Sequence, residues 1–129
     1  MSSEALIEAA QKARDFAYAP YSNFTVGAAV DVGGGTIVTG CNVENASYGL
    51  SICAERVALC TAVAQGYTRM LAIAIAGPES AATVPCGACR QFMAEFDPKL
   101  PISYTTAGPA VHTTLAALLP HSFGRSNLK

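Results

Sequence analysis

The stretch TVGAAVDVGGGTIVTGC, residues 25–41, decides the fold. Val26, Ala28, Val30 and Val32 fall on one side of residues 25–32, which is the two-residue period of a strand. Gly33, Gly34 and Gly35 then reverse the chain, and residues 36–41 return as a second strand. Two strands joined by a glycine turn form a hairpin. A hairpin is antiparallel, so a sheet that contains it is mixed rather than purely parallel.

Outward from the hairpin, helices and strands alternate. Upstream, Ser3 is placed to cap a helix whose apolar residues include Leu6, Ile7, Ala10, Ala13 and Phe16, and Pro20 limits its extent. Downstream, residues 42–52 are rich in Asn, Ser and Gly and read as irregular. A helix is expected over 53–65, with Gly66 as its C′ stop. Residues 70–76 form a continuous apolar run, as in a strand buried on both faces. A helix follows over 86–96, ended by Asp97-Pro98, then a strand over 102–104. Val111 sits on a possible fifth strand, and residues 114–119 form a short helix before Pro120. This order predicts an α/β fold, with a central sheet covered by helices on both faces.

The chain has 129 residues, which suits one domain over residues 1–129. Hydrophobic residues make up 51% and charged residues 13%, so much of so short a chain must be buried, and self-association is expected to cover surplus apolar surface. The net charge is −1, with no cluster of Lys or Arg. A nucleic-acid backbone requires such a cluster, so a small, roughly neutral substrate fits better than a polymer. No apolar stretch approaches a membrane span, and the start Met1-Ser2-Ser3-Glu4 lacks a signal-peptide pattern. The expected location is the cytoplasm, where the five cysteines read as thiols or metal ligands rather than a disulfide framework.

Two segments carry chemistry: Cys53-Ala54-Glu55-Arg56 and Pro85-Cys86-Gly87-Ala88-Cys89-Arg90. A C-x-x-C pair at a helix start can aim two sulfurs at one point, and Cys53, opening another helix, can add a third. Three protein ligands leave the fourth tetrahedral position of zinc open, which is the arrangement of a catalytic rather than a structural site. Helix N-termini favour thiolates over thiols. Glu55, two residues after Cys53, is placed to take a proton from water at the open position and pass it to a substrate. Zn²⁺ with three thiolates carries one excess negative charge. Arg56 is the expected compensating cation, hydrogen-bonded to a ligand thiolate.

The pattern C-x-E…P-C-x-x-C resembles the three-cysteine form of the zinc deaminases. The likeness extends to Tyr18-Ala19-Pro20-Tyr21-Ser22-Asn23-Phe24 with Val26-Gly27-Ala28-Ala29, and to the segment from Gly40 through Asn42, Glu44, Asn45 and Ala46 to Tyr48. It extends further to Cys89-Arg90-Gln91 and to Leu118-Leu119-Pro120 with Phe123. The chain thus resembles the small cytidine deaminases along nearly its whole length. The resemblance implies a three-layer α/β/α sandwich with a five-stranded mixed sheet, and one zinc ion per subunit on Cys53, Cys86 and Cys89. It implies hydrolysis of the C–N bond in cytidine and deoxycytidine, giving uridine, deoxyuridine and ammonia in pyrimidine salvage. Asn42 and Glu44 would bond the ribose hydroxyls, Phe24 would pack on the pyrimidine, and the backbone at Ala54 would meet the base edge. Ala46 would belong to the same substrate-binding segment. Tyr48 and Phe123 would help close a neighbouring subunit's pocket, since similar short enzymes are homotetramers.

Plainer readings compete at several positions. Cys41 or Cys60 as a fourth ligand would make a structural zinc site; otherwise both are buried small hydrophobes. Glu55 alone reads as a first-turn acid favoured by the helix dipole. Asn42 and Glu44 read as turn formers, Phe24 as core, and Arg90 as either solvated or supporting the metal loop. His112 and His121 lack ligand spacing to the cysteines. Among functions, the alternatives are deamination of another aminopyrimidine nucleoside such as blasticidin S, a zinc-stabilised scaffold, and strand editing, for which a basic aromatic channel is missing.

Overall fold

A computed structural model describes residues 1–128. Its elements in chain order are α1 (Ser3–Arg14), β1 (Gly27–Asp31), β2 (Ile37–Cys41), α2 (Ala54–Ala64), β3 (Ala72–Ala76), α3 (Gly87–Ala94), β4 (Pro101–Tyr104), β5 (Val111–Thr114), α4 (Leu115–Leu118) and α5 (Arg125–Leu128). A 3₁₀ turn at Tyr48–Leu50 interrupts the irregular segment after β2. The five strands form one sheet in the order β2-β1-β3-β4-β5. β1 is antiparallel to both β2 and β3, β3 and β4 are parallel, and β5 is antiparallel to β4. The expected mixed sheet with the 25–41 hairpin at one edge is therefore present. Among the described residues no helix is long and apolar enough to cross a membrane.

Alternation along β1 sorts the core into two layers. Val26, Ala28 and Val30 join Ala58, Leu59, Ile73, Ile75 and Met93 on the side of α2 and α3. Ala29, Ala74 and Ala76 join Leu6 and Ala10 of α1 on the other side. The hairpin strand is thus buried on both faces, and the small residues between the valines are there because α1 lies close. A Cβ on Gly27 would collide with backbone atoms of Ala10 and Arg14 in α1. A Cβ on Gly40 would collide with the backbone of Ala58 in α2, so this glycine lets the site-bearing helix settle on the sheet.

Three local expectations need correction. Ser2, not Ser3, caps α1, its side chain accepting from the Ala5 N–H at 3.1 Å. The helix ends at Arg14, before Pro20 is reached, and Phe16 lies beyond it, 81% exposed. The short α5 carries no strong apolar period and was missed. By contrast, α2 ends where its sequence indicates. Gly66 adopts φ 96°, its N–H donates to Val63 O, and the Tyr67 N–H donates to Ala62 O. That pair of bonds is a Schellman closure.

Candidate active site

The starts of α2 and α3 meet beside β1. Cys53 is the N-cap of α2 and Cys86 the N-cap of α3. The Cys86 sulfur accepts from the Cys89 N–H at 3.4 Å, which folds the C-x-x-C segment around its own first turn. The sulfurs of Cys53, Cys86 and Cys89 lie within 4.8 Å of one another. Cys53 and Cys86 Sγ are 3.8 Å apart. Zinc bound at about 2.3 Å from each sulfur with tetrahedral angles needs a separation of about 3.8 Å, so the donor set fits that ion. Among the described residues neither Cys41 nor Cys60 joins this cluster. Cys41, on β2, is half-buried and its thiol is pushed up by burial. Cys60 is exposed, which corrects the expectation that it is buried.

The charges around the sulfurs are organised. The Cys53 thiol is held down at about 5, first by a hydrogen bond from Cys89 and then by the Arg56 guanidinium and Cys86, against the opposing effect of burial. Cys89, fully buried, is pushed up by its bond to Cys53, by burial and by the nearby Glu55. Arg56 Nη2 donates to Cys53 Sγ at 3.6 Å, the contact expected of a charge-compensating partner. Arg56 Nε is buried without a hydrogen-bond partner among the described residues.

Glu55 is only 4% exposed. Burial, with the charge of Cys53 added, pushes its carboxyl above the ordinary carboxylate range. A group so raised holds and releases a proton more readily near neutrality. It lines a cavity of about 190 Å³ together with Phe24, Val26, Asn42, Cys53, Ala54, Thr83, Val84 and Cys86. Six sequence-predicted residues are therefore gathered around one small space.

The model of the cytidine and deoxycytidylate deaminase zinc-binding region matches residues 1–104. The chain belongs to this deaminase family. It is 44% identical to a cytidine deaminase of Sporosarcina psychrophila over 130 residues, covering 99% of this chain and 96% of the relative. It is also 44% identical to a cytidine deaminase of Halalkalibacterium halodurans, covering 95% of each chain. The crystal structure of a cytidine deaminase from Burkholderia pseudomallei superposes with a TM-score of 0.89 at 50% identity, covering 95% of this chain and all of that one. The five-stranded mixed sheet with its helices is the deaminase fold.

The remaining predicted residues of this deaminase-family chain divide into those near the cavity and those away from it. Asn42 Oδ1 accepts from the Val26 N–H and Nδ2 donates to Phe24 O, both at 2.8 Å, so its amide pins the backbone that carries Phe24. Glu44 and Tyr48 line a second cavity of about 330 Å³ with Tyr21, Ser22 and Ser51. Tyr48, 77% exposed, meets Tyr21 edge-on with ring centroids 6.2 Å apart. Ala46 is exposed and lines neither cavity. Phe123 is 59% exposed and also lines neither, although its carbonyl accepts from Gln91 Nε2 at 2.8 Å.

Arg90 supports the metal loop rather than standing free. Its Nε donates to Pro85 O at 2.8 Å and its Nη1 to Leu118 O at 2.9 Å. His112 pairs with Ser103 Oγ on the sheet edge, and His121 is exposed; neither approaches the sulfurs. Sequence reasoning missed Val26, Thr83 and Val84 as cavity walls. Thr83 and Val84 directly precede Pro85, so the short tether to the C-x-x-C segment was the available signal.

Proposed function

We propose that this chain hydrolyses cytidine and deoxycytidine to uridine and deoxyuridine with release of ammonia, and that it depends on zinc. The observation that carries the reading is the three-sulfur cluster at two helix starts, two of whose members, Cys53 and Cys86, line one cavity with the buried Glu55. A zinc ion on Cys53, Cys86 and Cys89 would supply the Lewis acid that makes water nucleophilic at neutral pH. Arg56 offsets the excess negative charge of three thiolates through its contact with Cys53. Glu55 accepts a proton from the attacking water and delivers it to N3 of the ring; it then takes the proton of the new C4 hydroxyl and hands it to the departing amine. Water adds at C4, the C4–N bond breaks, and the products are the uracil nucleoside and ammonia.

The substrate is positioned by residues of that cavity and of the 40–48 segment. Phe24 packs on the pyrimidine face and the backbone at Ala54 meets the base edge. Asn42 and Glu44 take the sugar hydroxyls, with Ala46 in the same segment. A carboxylate at the sugar end also disfavours a nucleotide phosphate. Phe24, Asn42 and Ala54 line the cavity of about 190 Å³, and Glu44 lines the cavity of about 330 Å³.

In this reading residues 1–129 form one catalytic domain, the chain works in the cytoplasm, and four copies associate. Exposure of Tyr48 and Phe123 supports the assembly, because aromatic side chains left in water by one copy are available to a neighbour's pocket. The decisive experiment pairs a zinc assay with cytidine turnover, followed by the fall in absorbance on conversion to uridine. One zinc per chain with turnover of cytidine is expected. Turnover of blasticidin S but of neither cytidine nor deoxycytidine would overturn the substrate assignment. Sedimentation of the purified protein as a monomer would overturn the tetramer.

A further inference from the structure

The Glu44 carboxylate is held by one turn. Oε1 accepts from the backbone N–H of Tyr21 at 3.0 Å and of Ser22 at 3.1 Å. Oε2 accepts from the Ser22 hydroxyl. The same Ser22 oxygen accepts from the Phe24 N–H at 2.9 Å. Asn23, between them, has φ 58°, a left-handed conformation that Asn tolerates better than most residues. The turn is therefore tight, and Ser22 Oγ sits at its centre.

An ionised carboxylate offers about four lone-pair positions. The two backbone donors occupy those of Oε1, and Ser22 occupies one on Oε2. A single acceptor position is left, on Oε2, and the Ser22 O–H determines which one. Ser22 and Glu44 both line the cavity of about 330 Å³, so that last lone pair is the one available to a ligand there. The Ser22 hydroxyl is also the main reason the Glu44 carboxyl lies below the ordinary range, which keeps it an acceptor.

We infer that Ser22 is a positioning residue that orients the Glu44 carboxylate toward a sugar hydroxyl and thereby sets selectivity for a hydroxylated nucleoside. The inference rests on the proposed role of Glu44 at the sugar. Without the hydroxyl, Oε1 keeps its backbone donors, but Oε2 is free to take water in either lone-pair direction. The charge stays while the aim is lost. Hydrogen bonds to charged groups are the strong class, so misaiming one should change selectivity by about tenfold.

The test compares kcat/KM for cytidine and for 2′,3′-dideoxycytidine, which lacks the hydroxyls, in the zinc-loaded enzyme. Ser22→Ala should lower the cytidine-to-dideoxycytidine ratio about tenfold, mainly through KM for cytidine, with kcat within about twofold. Ser22→Thr, which keeps the hydroxyl, should retain the ratio. In the double variant Ser22→Ala/Glu44→Gln the ratio should equal that of Glu44→Gln alone, because the two act through one contact. If Glu44→Gln lowers the ratio but Ser22→Ala lowers both substrates equally, Ser22 only braces the turn and the inference fails. If Glu44→Gln leaves the ratio unchanged, the sugar role of Glu44 fails and takes this inference with it. A folded Ser22→Thr that loses the ratio as fully as Ser22→Ala also overturns it.

Discussion

Replacing Glu55 by Gln separates catalysis from architecture in this protein. Gln keeps the volume of the side chain and removes only its ability to exchange a proton. Glu55 is 4% exposed, and the residues that share its cavity include no second carboxylate and no histidine. No neighbour can therefore take over the transfer. A positioned acid–base group contributes about 10²–10⁴-fold, and Glu55 is asked to serve more than one transfer, so a loss of about 10³–10⁴-fold in kcat is expected. That corresponds to roughly 4–5 kcal/mol in the barrier. Stability should not fall with it. A buried charge is exchanged for a neutral amide, which relieves desolvation rather than adding to it. The assay measures cytidine turnover by absorbance, zinc per chain by elemental analysis, and the melting temperature. The expected result is a folded, zinc-loaded and nearly inactive protein. A variant retaining more than a tenth of wild-type kcat would refute the proton-transfer role. One that lost its zinc would show that Glu55 holds the metal site together.

Other consequences follow from the same geometry. Cys86→Ser should release zinc, whereas Cys41→Ser and Cys60→Ser should each keep it, since of these three only Cys86 belongs to the sulfur cluster; loss of zinc from either of the latter would revive a structural four-cysteine site. Gly40→Ala places a methyl group against the backbone of Ala58, and rigid backbone cannot yield as a side chain would; denaturant unfolding should show a loss of about 3 kcal/mol, and an unchanged midpoint would contradict the close packing of α2. Leu59→Ala empties a fully buried position between α2 and the sheet and should lower stability by about 2–5 kcal/mol in the same measurement. The Glu44 carboxyl is depressed chiefly by Ser22, so its ionised form persists below the ordinary carboxylate value and is lost only as pH falls through the depressed one. As pH falls, KM for cytidine should therefore begin to rise at a higher pH in Ser22→Ala than in the wild type; identical pH profiles would reject that coupling.

The sequence by itself determined what depends on near neighbours. Alternating valines and three glycines specify the hairpin, because side-chain period and turn conformation are local properties. The pattern Cys53-x-Glu55 with Pro85-Cys86-x-x-Cys89 specifies ligands at helix starts, because a cap sulfur and a residue three positions on share one turn. Tertiary structure decided what depends on distant segments meeting. It left Cys60 exposed, and it assigned Arg90 to the Pro85 and Leu118 carbonyls rather than to solvent. It also brought Ser22, before the first strand, onto Glu44, after the second. No spacing rule links residues 22 and 44. Their contact exists because β1 and β2 pair in a fixed register, and because the Asn42 amide clamps the backbone at Phe24 and Val26. The metal site is thus local chemistry repeated at two helix ends, while the contact of Ser22 with Glu44 is a product of how the hairpin packs.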